Sequence, residues 1–419
     1  MWVCADSAHE VTARRPPGLL WAAPPRDGVP SRRVRLGVYA DLVFRRDVGG
    51  LSADRAFVDF VAALAPSLEE LVFFGRLQPE AGRAPHALPQ EGVRFVALPY
   101  YRSTASVRGV VPTMRESLKV LEAELEWLDA LWLFGPHPLA LLFARAARAR
   151  GTPVFLGVRQ DLLRYANART SGLRRAWALP AAFVLEHAFR RLARRVPTVV
   201  VGDALARHYA GGAATLTTGF SLVRDDDLVP VDVALARSWE GDLRLLTVGR
   251  LSPEKNPMLL LEILARLRAL EPRWRLTAVG EGPLASNLAR RATELGLEDA
   301  VELPGYVPIG PALWERYRAS HVFLHVSLTE GLPQVLFEAQ AAGLPIVATD
   351  VGGVGAAFGE SGLIVRPSDA AEAAAAVDRL RTEPGLRQRL VAVGARRAAR
   401  ETRERQLANI LEFFRANLA

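Results

Sequence analysis

Leu243-Arg244-Leu245-Leu246-Thr247-Val248-Gly249-Arg250-Leu251-Ser252-Pro253-Glu254-Lys255-Asn256 reads as a buried strand that breaks at a glycine and hands over to a helix. An apolar run of strand length, then Gly and Pro, then helical spacing is the signature of one βα unit. Working towards the C-terminus, further strands are predicted at 275–279, 300–303, 321–326, 345–348 and 362–365, with amphipathic helices between them. Working towards the N-terminus, the same rhythm gives strands at 34–39, 71–74, 93–98, 131–134, 154–158 and 198–201. A helix is expected over 52–64, after Asp47-Val48-Gly49-Gly50. Alternation of this kind predicts α/β architecture, with parallel sheets covered by helices on both faces.

The rhythm weakens between Ser221 and Gly241, where Asp225-Asp226-Asp227 and Pro230 fall, so 221–241 is read as a linker. Two doubly wound units are therefore expected, at 34–220 and 242–385, facing each other across a cleft. Residues 1–33, rich in Pro, Gly and Arg without periodicity, are read as a disordered extension. Residues 386–419 are read as a charged helical segment that packs back on the first unit. The 419-residue length suits two cores better than one.

Half of the residues are apolar and 23% are charged, as in a soluble globular enzyme. No apolar run approaches the roughly 20 residues of a membrane span. The stretch Gly18-Leu19-Leu20-Trp21-Ala22-Ala23 is too short and proline-flanked for a signal core. Cys4 is the sole cysteine, which makes an intrachain disulfide impossible and a cytoplasmic setting the expectation. The formal charge of +8 is unevenly spread. Residues 1–230 hold 30 basic and 22 acidic side chains, whereas 231–419 hold 23 of each. The basic half suits an acidic acceptor or the anionic inner face of a membrane, and equally a solvated surface. Between Leu173 and Arg195, arginines interleave with Trp177, Phe183 and Phe189, a pattern open to membrane contact or to ordinary packing on the sheet. No nucleic-acid partner is expected.

Four segments of the second half fall at predicted strand ends, where ligands of such sheets bind. In the first, Arg250 and Lys255 supply two cations suited to a diphosphate. Lys255 is one of only two lysines among 53 basic residues, which points to a specific task. The second, Val279-Gly280-Glu281-Gly282-Pro283, would let backbone approach a ligand, though an ordinary tight turn explains it equally well. The third, Ser327 to Glu338, places Pro333 at the start of a helix whose free amides would face the cleft as an anion site. Its carboxylates, Glu330 and Glu338, suit hydroxyl groups. The fourth, Thr349-Asp350-Val351-Gly352-Gly353, is another close backbone approach or a plain loop.

Taken in order, G-R-x-x-x-E-K-N, V-G-x-G-P, E-G-L-P-x-x-x-x-E and G-L-P-I-V-A-T-D-V-G-G resemble retaining glycosyltransferase family 4. The resemblance covers residues 243–366 well and the first half more loosely. It implies the GT-B fold and transfer of a hexosyl group from a nucleotide-sugar donor to an acceptor the sequence does not identify. It implies that Arg250 and Lys255 bind the diphosphate and stabilise the leaving group. Glu330 would hold the transferred sugar, helped by backbone at Gly331 and Leu332, and Glu338 would hold the ribose. Tyr306 and Val307 would lie near the base, Gly280 and Gly282 near the donor, and Gly49 and Gly50 beside the phosphates.

Departures from the family pattern bear on the sugar more than on the reaction. Where a histidine is frequent after the strand at 154–158, this chain has Arg159-Gln160-Asp161; Arg159 and Asp161 are expected to contact the acceptor or the sugar, and His137 is either a substitute for that histidine or a loop or packing residue. His321 stands where aspartate is usual and His325 where proline is common. No Cys/His cluster has metal-ligand spacing, and the aspartate run lies in the predicted linker, so neither metal nor cofactor is expected. Two alternatives remain open: a nucleotide-sugar epimerase or hydrolase on the same fold, or a non-catalytic donor-binding subunit.

Overall fold

The computed structural model describes residues 33–101, 107–170 and 172–418. All of the expected extension except Arg33 lies outside them. Residues 34–419 form one compact unit built around two sheets. The first contains β1 (Arg35–Asp47), β2 (Gly50–Ala53), β3 (Glu70–Leu77), β4 (His86–Ala87), β5 (Val93–Leu98), β6 (Ala130–Gly135), β7 (Val154–Val158), β8 (Thr198–Val201) and β9 (Thr215–Thr218). Its parallel body runs β5-β3-β1-β6-β7-β8-β9, and β2 and β4 extend β1 as antiparallel additions.

The second sheet contains β10 (Leu243–Val248), β11 (Trp274–Val279), β12 (Val301–Glu302), β13 (Val322–His325), β14 (Ile346–Thr349) and β15 (Gly362–Val365). Its order, β12-β11-β10-β13-β14-β15, is parallel throughout. Both sheets reverse their winding beside their first strand, at β1/β6 and at β10/β13. Loops leaving the carboxyl ends of the strands diverge at such a point and open a crevice.

Strand composition follows from burial on both faces. β7, β13 and β14 are buried at every residue, which alternating polar residues could not tolerate. In the second sheet, Leu243, Leu245 and Leu276 pack beneath the Pro257–Leu270 and Ala370–Thr382 helices. Leu246, Phe323 and Ile346 face the other way, towards Tyr317, Phe337 and Phe358.

Three local readings need correction. The first strand does not stop near Tyr39 but runs to Asp47 and turns through Gly49 and Gly50 into β2. Phe44 is fully buried against Phe73 and Phe95, which holds the extension down, and Gly50 takes the turn at φ +113°. The helix expected over 52–64 is therefore shorter, Phe57–Ala62, because Ser52 and Ala53 belong to β2. The segment 221–241 is also more than coil: it holds a 3-10 turn at Asp225–Asp227 and a helix at Val231–Leu235. Asp226 and Asp227 are occupied locally, by the Arg224 guanidinium and the Arg224 amide.

The final helix, Arg403–Asn417, lies against the first sheet. Phe414 packs edge-on to Trp132 with centroids 5.1 Å apart, and also meets Phe155. Gln406 fixes the crossing by accepting from Thr218 Oγ1 (2.8 Å) and from the Ser221 amide (3.1 Å). On the Gly172–Ala193 helix, Phe189 is buried but Trp177 and Phe183 are 53% and 60% exposed. Packing on the sheet therefore accounts for only one of those three aromatics.

Candidate functional site

A cleft of about 1710 Å³ opens between the carboxyl ends of the two sheets. One wall comes from the loops after β7, β8 and β9, the other from the loops after β10, β13 and β14. Arg250, Lys255, Glu330, Gly331 and Leu332 all line it, so the residues expected to act on the donor converge. Arg159 and Asp161 line it from the opposite wall.

Backbone hydrogen bonds hold the second-sheet loops rigidly. The Gly249 amide donates to Val279 O (2.9 Å), Leu251 to Glu281 O (2.8 Å) and Gly280 to Gly305 O (2.8 Å). A Cβ on Gly280 would lie 1.9 Å from Gly249 O, and one on Gly282 would lie 2.3 Å from Leu251 O. These two glycines thus permit loop-to-loop contact, and neither is among the residues lining the cleft. The same physics operates at Gly352, in the left-handed region at φ +58°. A Cβ there would meet Glu330 O at 1.9 Å.

Glu330 is the electrostatic centre of the site. Its side chain is only 10% exposed and pairs with the Lys255 ammonium, which donates to Oε1. His325 Nε2 stands 3.2 Å from the same oxygen, while His325 Nδ1 lies 3.2 Å from Ser327 Oγ. Burial pushes the His325 imidazole down to about 4; the Glu330 charge opposes this and Lys255 reinforces it. The ring is therefore neutral near neutral pH. Arg250 is half-exposed, with its guanidinium 3.9 Å from Glu254 Oε1.

The Gln334–Ala341 helix begins at the cleft with Pro333 as its N-cap, one position earlier than the expected place in the first turn. Proline removes one donor and sets the chain direction, leaving the following amides for an anion. Gln334 Nε2 donates to Gly219 O (2.7 Å), tying this helix start to the end of β9 across the cleft.

Other residues expected at the site have neighbours of their own within the chain. Glu338 is buried and accepts from Tyr317 Oη (2.6 Å); burial raises its pKa, with the Tyr317 bond opposing. Gly49 and Gly50 sit in the β1–β2 turn, because the chain uses them to close a hairpin. Val307 packs against the second-sheet core. Tyr306 is 45% exposed, and burial followed by the charges of Asp59 and Glu281 raises its phenol pKa. None of these five lines the cleft.

The histidines separate cleanly. His137 is buried, with Nδ1 at 2.9 Å from Tyr39 Oη and accepting from the Leu139 amide, and Nε2 at 3.2 Å from Tyr101 Oη. Burial lowers its pKa, and it caps the Pro138–Ala149 helix instead of facing the cleft. His321 accepts at Nδ1 from the Arg244 amide (3.0 Å) and lies 2.8 Å from Ser238 O, so it too is structural. Sequence reasoning missed Arg55, which lines the cleft beside Arg159; an isolated arginine after a short strand carries no pattern signal. Among the described residues, no three His, Cys, Asp or Glu side chains form a group able to hold a metal ion.

Facing doubly wound sheets with a site at their carboxyl edges define the class as a GT-B fold. Sucrose-phosphate synthase from Thermosynechococcus elongatus superposes with a TM-score of 0.67 at 20% identity, covering 92% of this chain and 99% of that one. Anabaena HepE in complex with UDP superposes with a TM-score of 0.66 at 17% identity, covering 91% of this chain and all of that one. Residues 236–397 match the model of the family described as glycosyl transferases group 1. D-inositol 3-phosphate glycosyltransferase from Thermomonospora curvata is 41% identical over 165 residues, 37% of this chain and 38% of that protein. The Rhodococcus jostii protein of the same name is 35% identical over 236 residues, 52% of this chain and 51% of that protein. The matched stretches therefore span between 38% and 51% of these relatives' lengths.

Proposed function

We propose that the protein is a retaining glycosyltransferase that moves a hexosyl group from a nucleoside-diphosphate sugar to an acceptor hydroxyl. The observation that carries this reading is convergence: Arg250, Lys255, Glu330 and the start of the Gln334–Ala341 helix share one cleft wall. Two cations and free amides favour a diphosphate there, and do so most as negative charge builds on the leaving oxygen. Glu330, beside Lys255, suits the hydroxyls of the sugar being moved. In the reaction the anomeric carbon–oxygen bond to the diphosphate breaks and the acceptor oxygen bonds to the same carbon on the same face. The acceptor proton passes to the departing diphosphate. Protein groups contribute by positioning and charge stabilisation.

Structural neighbours bound to UDP and to UDP-glucose support a nucleotide-sugar donor. The second sheet, within 242–385, would hold the donor, and the first, within 34–220, the acceptor, with 221–241 joining them. A thermal-shift panel of UDP-, GDP-, dTDP- and ADP-sugars tests this. A donor at 100 times its dissociation constant adds about 2.7 kcal/mol of stability. One base should raise Tm; no shift with any of the four would overturn donor binding.

We extend the reading to peripheral contact with anionic membrane through the exposed Trp177 and Phe183, on a helix that carries Arg175, Arg190 and Arg191. Among the described residues no helix is long and apolar enough to cross a membrane. Vesicles rich in phosphatidylglycerol should carry the protein upward in flotation at low salt and release it at high salt. Absence of salt-sensitive flotation would remove this part of the reading.

A further inference from the structure

The wall facing Glu330 carries two guanidinium groups, on the side of the cleft opposite Arg250 and Lys255. Arg159 follows β7, Arg55 follows β2, and both line the cleft. Arg159 is held in place: its guanidinium lies 4.1 Å over the ring of Phe57, which is itself buried against Phe134 and Phe220. Its carbonyl oxygen lies 3.9 Å from where a Cβ on Gly331 would be, so the backbone after β7 comes close to the Glu330 loop.

Among the described residues, neither Arg55 nor Arg159 forms an ion pair with a carboxylate. Glu330, the acid on the facing loop, is already engaged by Lys255 and lies beside His325. Burial pushes the Arg159 guanidinium down to about 10, and the nearby positive charge of Arg55 pushes in the same direction. Two like charges that line one cleft and repel each other are unfavourable neighbours until an anion joins them. The planar forks of two arginines match the oxygens of a phosphate or carboxylate.

We propose that Arg55 and Arg159 form a subsite for an oxyanion, phosphate or carboxylate, carried by the acceptor or by the transferred sugar. The proposal rests on the glycosyltransferase reading for the source of that oxyanion. Anion binding itself does not depend on that reading. The subsite lies on the wall opposite Arg250 and Lys255, so a donor diphosphate and a second anion can be held together.

Calorimetric titration of inorganic phosphate, glucose 6-phosphate, glucuronate and glucose into the full chain, with and without saturating UDP, tests this. The anions should bind and glucose should not. Arg55→Gln and Arg159→Gln should each weaken phosphate binding by at least about tenfold, the scale of removing one charged hydrogen bond. Arg159→Lys should recover part of the loss. Arg290→Gln, which removes an exposed charge on the Ala285–Glu294 helix, should change nothing. UDP affinity should be the same in all four variants, which also reports that they fold. Phosphate binding unchanged by both glutamine variants, or glucose bound as tightly as glucose 6-phosphate, would overturn the subsite. Absence of binding of every one of UDP, GDP, dTDP and ADP by the wild type would instead sink the donor reading, while the Arg159 dependence of phosphate binding would still be measured. Transfer assays then sort the source. Preference for phosphorylated over neutral polyol acceptors assigns the anion to the acceptor, and preference for uronate over neutral donors assigns it to the sugar.

Discussion

Lys255 and His325 both approach one oxygen of Glu330, and a donor diphosphate would draw Lys255 away from it. Glu330 would then keep the imidazole as its neighbour, in a pocket where His325 is 6% exposed. The pH consequence follows from the buried ring. An unfolded chain protonates His325 near the ordinary value of about 6.5, whereas the folded chain resists until about 4. Between those values the unfolded state binds more protons, so stability falls as pH drops through that window and levels off below it. His137 and His321, also lowered by burial, act in the same direction. His325→Gln should therefore lose less Tm than the wild type between about pH 7 and about pH 4.5. Parallel Tm curves for the two proteins would contradict the assignment. The rarity of lysine marked Lys255 in the sequence, and the family pattern marked His325 as a departure. Their coupling through Glu330 was not legible, because 75 residues separate Lys255 from Glu330 and no periodicity spans such a gap.

At the scale of elements, the site is a set of loops braced by glycine. Gly352 matters most, since it sits in the left-handed region and its missing side chain leaves room for the Glu330 carbonyl. Gly352→Ala adds backbone strain of about 1–3 kcal/mol and must also displace the Glu330 loop. Donor turnover should fall by at least about tenfold, well beyond what the loss of folded protein explains. A variant with lowered Tm and full turnover would show that the loop position is unimportant. The sequence marked Gly280, Gly282 and Gly352 as places where backbone would approach a ligand or simply turn; each lies against the backbone of a neighbouring loop. It could not name what approaches, because a glycine that admits a ligand and one that admits a neighbouring loop look alike in one dimension. Glu338 illustrates the same limit: the family resemblance implied a place at the ribose, and its hydrogen-bond partner within the chain, Tyr317 on another helix, carried no signal in the sequence.

Across the whole molecule, the strand–helix rhythm foretold two parallel sheets and the cleft at their carboxyl ends. The strand order and the return of the last helix depend on long-range packing such as Phe414 on Trp132, and on the Gln406–Thr218 bond across 188 residues. Hairpin extension of β1 was missed because its apolar run continues through polar positions that lie at the edge of the sheet. Lys255 and Glu330 pair on one wall of the cleft, so under the donor reading transfer should need both side chains. Donor turnover by Lys255→Ala and Glu330→Ala, with Tm recorded to verify folding, is the decisive assay. Each should be slower than the wild type by at least about 100-fold, the scale of removing one oriented electrostatic interaction from a transition state. Near-normal donor consumption by both folded variants would show that this cleft wall does not act on the donor.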